Sequence, residues 1–175
     1  MSAAPGAPLP PLSVPLLSGG TRHFGPGEAG WSMLVVYRGR HCPRCKTYLS
    51  KLSGMLAAFA DLGVTVTVTS ADPPERAEAD RIEYGWTFDL GHSLSLADMA
   101  ALGLYVSDPT GPQETDRPFA EPGLFIVNPD GLLHVVGLSN AASCRPDLDV
   151  VLDGIGGIQT KGLPIRGRRS TEGVV

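Results

Sequence analysis

Cys42 and Cys45, two residues apart in "HCPRCK", are the side chains of this sequence best suited to chemistry. Their spacing fits three chemistries: a redox dithiol, half of a zinc site, or a peroxide-reactive thiolate with a resolving neighbour. Zinc takes four ligands, and one CxxC supplies two. Cys144 and one of His23, His41, His92 or His134 would have to complete the set, and no second pair has metal spacing. The sequence therefore reads as a thiol site with no metal and no bound cofactor.

The elements that must position the pair agree. "WSMLVVY" (31–37) is a continuous apolar run, as in a strand covered on both faces. From Pro43 the period becomes helical, with Tyr48, Leu49, Leu52, Met55, Leu56 and Phe59 on one face and Gly63 as the stop. Cys42 thus falls at or beside a helix N-cap, where unpaired N–H groups and the helix dipole stabilise a thiolate. Arg38, Arg40, His41 and Arg44 add positive charge around it. Cys45, one turn further in, is more sheltered and within reach of a disulfide, so Cys42 is expected to attack and Cys45 to resolve. Cys144, in "SNAASCRPDL", reads as a lone thiol near a helix start. A second resolving thiol, a regulatory thiol or a bridge between subunits are its other readings. His134, in mid-strand, reads as a packed residue.

Along the rest of the chain, residues 13–24 suggest a hairpin around Gly19-Gly20, and "VTVTVTS" (64–70) alternates as a strand whose threonine face is only partly covered. A helix follows, with Asp72 as N-cap and Pro73 and Pro74 in its first turn. Trp86–Leu90 reads as a short strand, 95–102 as a helix stopped by Gly103, and "PGLFIVNPDGLLHVV" as a hairpin turning at Asn128–Gly131. "RPDLDVVLDGIGGI" carries a last helix. The order gives an α/β fold: a central mixed sheet flanked by helices, with an N-terminal hairpin. The 175 residues make one domain over 13–158, between a disordered tail (1–12) and a flexible basic tail (159–175) carrying Arg166, Arg168 and Arg169. A net charge of -4 argues against nucleic acid and anionic membrane as partners. No spanning segment or secretion signal is read, which points to the cytoplasm, where cysteines are reduced.

"LVVYRGRHCPRCKTYLSKL" and "EPGLFIVNPDG" resemble the thioredoxin-like superfamily, and within it the peroxiredoxin-like branch related to alkyl hydroperoxide reductase. The resemblance implies a thioredoxin-like fold and a cofactor-free thiol oxidoreductase acting on peroxide or, alternatively, on a disulfide. A redox-responsive binding module without turnover is a further alternative. An external thiol reductant such as a thioredoxin would be a partner, and a homodimer is open. It also implies that Pro122 is a cis-proline beside the CxxC. Peroxiredoxins carry proline seven residues and threonine three residues before the reactive cysteine, where this chain has Val35 and Gly39. Their arginine ahead of the hairpin strand has no counterpart in Glu121-Pro122-Gly123. Thioredoxin's buried acid, six residues before its first cysteine, is Val36, whereas Lys46 after the motif matches. Arg38, Arg40 or Arg44 would have to stand in for the missing groups.

Overall fold

The computed structural model describes residues 3–24 and 30–169; Met1, Ser2 and the end of the basic tail, 170–175, lie outside them. β1 (Leu12–Pro15) and β2 (Thr21–Phe24) form the N-terminal hairpin, which turns through Gly19 and Gly20 at φ 93° and 78°. β3 (Trp31–Val36) is parallel to β4 (Val64–Thr69), and β4 is parallel to β5 (Asp89–Leu90). β6 (Val106–Ser107) and β7 (Phe119–Ala120) make a small antiparallel pair. β8 (Gly123–Val127) lies antiparallel to both β3 and β9 (Leu133–Leu138), which completes a five-stranded mixed sheet in the order β5-β4-β3-β8-β9.

Because β3 is central, both of its faces are buried, and alternate residues feed two cores. Met33 and Val35 join Val66, Val68, Leu124 and Ile126 on one face. Against them pack Leu49 and Leu52 of α1 (Pro43–Gly54), Phe59 of α2 (Leu56–Asp61) and Ala77 of α3 (Pro74–Tyr84). Leu34, Val36, Phe125 and Val127 face the other way, onto the N-terminal hairpin and Met99 of α4 (Leu96–Ala101). α5 (Leu148–Lys161) returns to the first face through Leu148 and Ile155. Phe59 is fully buried, and Phe59→Ala is expected to cost about 3–5 kcal/mol, read as a lower denaturant midpoint.

Some expectations change. The long helix after Pro43 breaks at Met55 (φ -105°, ψ 0°) just after Gly54, a poor helix former. Pro73, not Asp72, is the N-cap residue of α3, because the Asp72 carboxylate is engaged elsewhere. Only two residues of the Trp86–Leu90 piece are strand, since Trp86 instead stacks between Tyr84 and Phe88 with centroids 5.4 Å away on either side. Thr67 and Thr69 are buried, because the hairpin covers their face: Val14 and Thr69 both crowd Gly91. Residues 3–12 are not loose. Leu9 is 1% exposed, Gly6 N–H donates to Leu133 O at 2.8 Å, and Arg168 lies against Gly6. A Pro/Ala/Gly-rich composition reads as disorder, yet a few apolar residues anchor the segment to β9.

Candidate active site

Cys42 ends the loop after β3 and is the N-cap residue of α1, with extended backbone and a proline in the first turn behind it. The Cys45 N–H donates to Cys42 Sγ at 3.3 Å, so the sulfur takes the place of the oxygen that usually caps a helix. Both cysteines are 1% exposed. The Cys45 thiol donates to the Cys42 sulfur and, with the Cys45 N–H, Arg38 and Arg145, outweighs burial and brings Cys42 down to about 5. Burial pushes Cys45 the other way, well above an ordinary thiol, and the Cys42 charge beside it adds to this. At neutral pH one sulfur is thiolate and the other keeps its proton. In a Cys144→Ser background, ultraviolet thiolate absorbance should titrate near pH 5 and the rate with peroxide should fall below it. A midpoint at ~8.5 would show an unactivated thiol.

Of the four basic neighbours, only Arg38 serves Cys42 as a cation. Its charge favours the Cys42 thiolate, and the guanidinium lies over the Phe119 ring at 4.6 Å and pairs with Glu114 at 3.1 Å and with Glu121 at 3.1 Å. Arg40 turns to Asp80 and Glu83, and Arg44 sits exposed on α1. His41 packs on Phe119 at 4.5 Å with no hydrogen bond to either ring nitrogen and Nε2 4.0 Å from the Glu114 carboxylate; burial lowers its pKa and the Arg38 charge adds to this, which disfavours the cation there. Pro122 lines a narrow cleft with Tyr48, Cys144 and Arg145. Its peptide bond is trans, as are all those of the described residues, which corrects the cis expectation. The chain runs extended from β7 into β8, with Glu121 N–H bonded to Tyr105 O and Pro122 O accepting from Ser139 N–H.

The departures from the relatives' motifs have physical reasons. Val35 is paired to both neighbouring strands, where proline would remove a ladder donor. Gly39 has φ 125°, and a Cβ there would lie 2.8 Å from the Asp72 carboxylate, which instead accepts the Arg40 N–H at 2.6 Å. Gly39→Thr, which restores the usual residue, is expected to lose about 1–3 kcal/mol and to gain no peroxide rate. The position of the missing acid is the apolar Val36, and the buried acid of this chain, in another element, pairs with Arg40 and Lys46 instead. Asp80 of α3 is fully buried, 3.7 Å from Lys46, and burial raises its pKa.

Two residues unmarked by sequence reading complete the site. Glu121 anchors Arg38, and Arg145 donates through Nη2 to Cys45 Sγ at 2.7 Å. Only the adjacency of Arg145 to Cys144 in a loop after the hairpin hinted at it. Cys144 itself is exposed, with Ser143 Oγ 3.9 Å from its sulfur.

A helix-capping thiolate beside a buried partner thiol, at the end of the central strand of a mixed sheet, defines a thioredoxin-like thiol oxidoreductase. The AhpC/TSA family profile matches residues 5–136, and the chain belongs to that family. It is a peroxiredoxin-like thiol peroxidase and needs no cofactor. No curated protein matches the sequence significantly. Among solved structures, a peroxiredoxin-like protein from Aquifex aeolicus superposes with a TM-score of 0.75 at 18% identity, over 90% of this chain and 89% of that one. Mycobacterium bovis AhpC gives 0.73 at 17% identity, over 97% and 99%, and the peroxidoxin BcpB of Mycobacterium tuberculosis 0.71 at 15%, over 89% and 98%.

Proposed function

We propose that Cys42 is the peroxidatic thiolate and Cys45 the resolving thiol of a peroxidase cycle. The Cys42 thiolate attacks one peroxide oxygen, the O–O bond breaks, and the departing alkoxide or hydroxide takes up a proton. This leaves Cys42 as a sulfenic acid. Cys45 then displaces the hydroxyl and closes a Cys42–Cys45 disulfide, with loss of water. An external thiol reductant such as a thioredoxin returns the pair to the dithiol, a supply typical of the cytoplasm.

One observation favours peroxide over a protein disulfide as substrate: both cysteines are 1% exposed. A small hydroperoxide can reach such an atom, whereas a disulfide on another protein needs the attacking sulfur at the surface. Low exposure of the thiol alone would also suit inert core cysteines, but the hydrogen bonds that lower Cys42 argue against that. The test compares two oxidants on the reduced chain. Stoichiometric hydrogen peroxide should consume the pair within seconds while insulin disulfides are left intact. Fast insulin reduction with slow peroxide consumption would reverse the substrate assignment.

A further inference from the structure

We infer that Arg145 is the catalytic cation of the resolving step, holding the negative charge of the Cys45 sulfur while it displaces hydroxyl from oxidised Cys42. The inference rests on the roles just proposed for the two cysteines.

In the reduced pair the negative charge sits on Cys42, and the Arg38 charge favours it there. Oxidation removes the charge from Cys42. The next nucleophile is the sulfur of Cys45, a residue 1% exposed, and burial opposes its ionisation. A thiolate forms there at useful rates only if a cation already touches it. Arg145 meets that condition: Nη2 donates to Cys45 Sγ at 2.7 Å while Nη1 donates to Ala142 O at 2.7 Å. The guanidinium also lies 5.3 Å over the Tyr48 ring, and the Tyr48 hydroxyl donates to Pro146 O at 3.0 Å, tying the ring to the same loop. The fork is therefore fixed before the reaction begins, and no reorientation is needed when charge appears on Cys45.

Two arginines from separate loops thus serve the pair: Arg38 favours the Cys42 thiolate, and Arg145 donates to Cys45 while its charge also favours the Cys42 thiolate. Arg38, held by Glu114 and Glu121, serves the attack on peroxide, and Arg145, with no carboxylate paired to it among the described residues, serves the closure. In that closure the Cys45 S–H proton passes to the hydroxyl leaving Cys42. The Cys42 S–O bond breaks, the S–S bond forms, and water departs. Arg145 stays protonated throughout and supplies no atom.

The test separates the two half-reactions in Arg145→Met and Arg145→Lys by rapid mixing with one equivalent of hydrogen peroxide and mass analysis with a sulfenic acid trap. In Arg145→Met, sulfenic acid formation should slow by about 10-fold or less, because Arg38 and the Cys45 groups still favour the Cys42 thiolate, whereas disulfide closure should slow about 100-fold and the trapped species accumulate. Arg145→Lys, which keeps the charge and loses the fork, should recover most of the closure rate. Unchanged closure in Arg145→Met, or equal slowing of both steps, would overturn the inference. A Cys45→Ser chain that traps no sulfenic acid would overturn the cysteine roles themselves, and the inference with them.

Discussion

Cys42→Ser should abolish peroxide consumption, a loss on the order of 10⁴-fold or more, because it removes the nucleophile itself. Cys45→Ser should behave differently. It keeps the helix cap, since its N–H still reaches Cys42 Sγ, and it keeps Arg38. It should consume one equivalent of peroxide and stop, with a sulfenic acid on Cys42 and no internal disulfide. Intact mass with and without a sulfenic acid trap reads both outcomes. A Cys42→Ser chain that still turns over, beside a dead Cys45→Ser, would exchange the two roles.

The second large effect is expected at Arg38. Arg38→Met removes a charged donor from the reacting sulfur and leaves Glu121, 5% exposed, and Glu114 without their counter-ion beside it. The Cys42 pKa should rise, and the second-order rate with hydrogen peroxide should fall about 10²–10³-fold. The chain should also lose about 1–3 kcal/mol, from the orphaned carboxylate. Adding Glu121→Gln should restore stability and leave the rate low. That double variant separates the two roles of Arg38, since a purely structural arginine would be rescued in both readouts. Stopped-flow kinetics and thermal midpoints of the three chains decide it.

The local part of this site was legible in the sequence. An apolar strand, a cysteine, a proline and a helical period sit side by side between Trp31 and Phe59, and that order alone puts Cys42 on the helix N-terminus. The hairpin turning at Asn128 and the helix over 95–102 were legible for the same reason, because their signals lie within a few residues. The electrostatics was not. Arg38, Arg40 and Arg44 look equivalent in one dimension, yet they diverge to the thiolate, to Asp80 and to solvent. Glu121 is 83 residues from Arg38, and Arg145 is 100 from Cys45, so only the assembled sheet and its loops bring them together. Gly39 shows the converse: a departure from the relatives' pattern that looks like a missing helper is required by a positive φ and by the carboxylate lying against it.

The most direct measurement of the central claim is a disulfide map of the unmodified chain after one equivalent of hydrogen peroxide, quenched in acid and alkylated. A Cys42–Cys45 disulfide with Cys144 fully alkylated is the result the account requires. A map in which Cys42 and Cys45 both remain alkylatable, or in which the disulfide joins Cys144 of two chains, would contradict it.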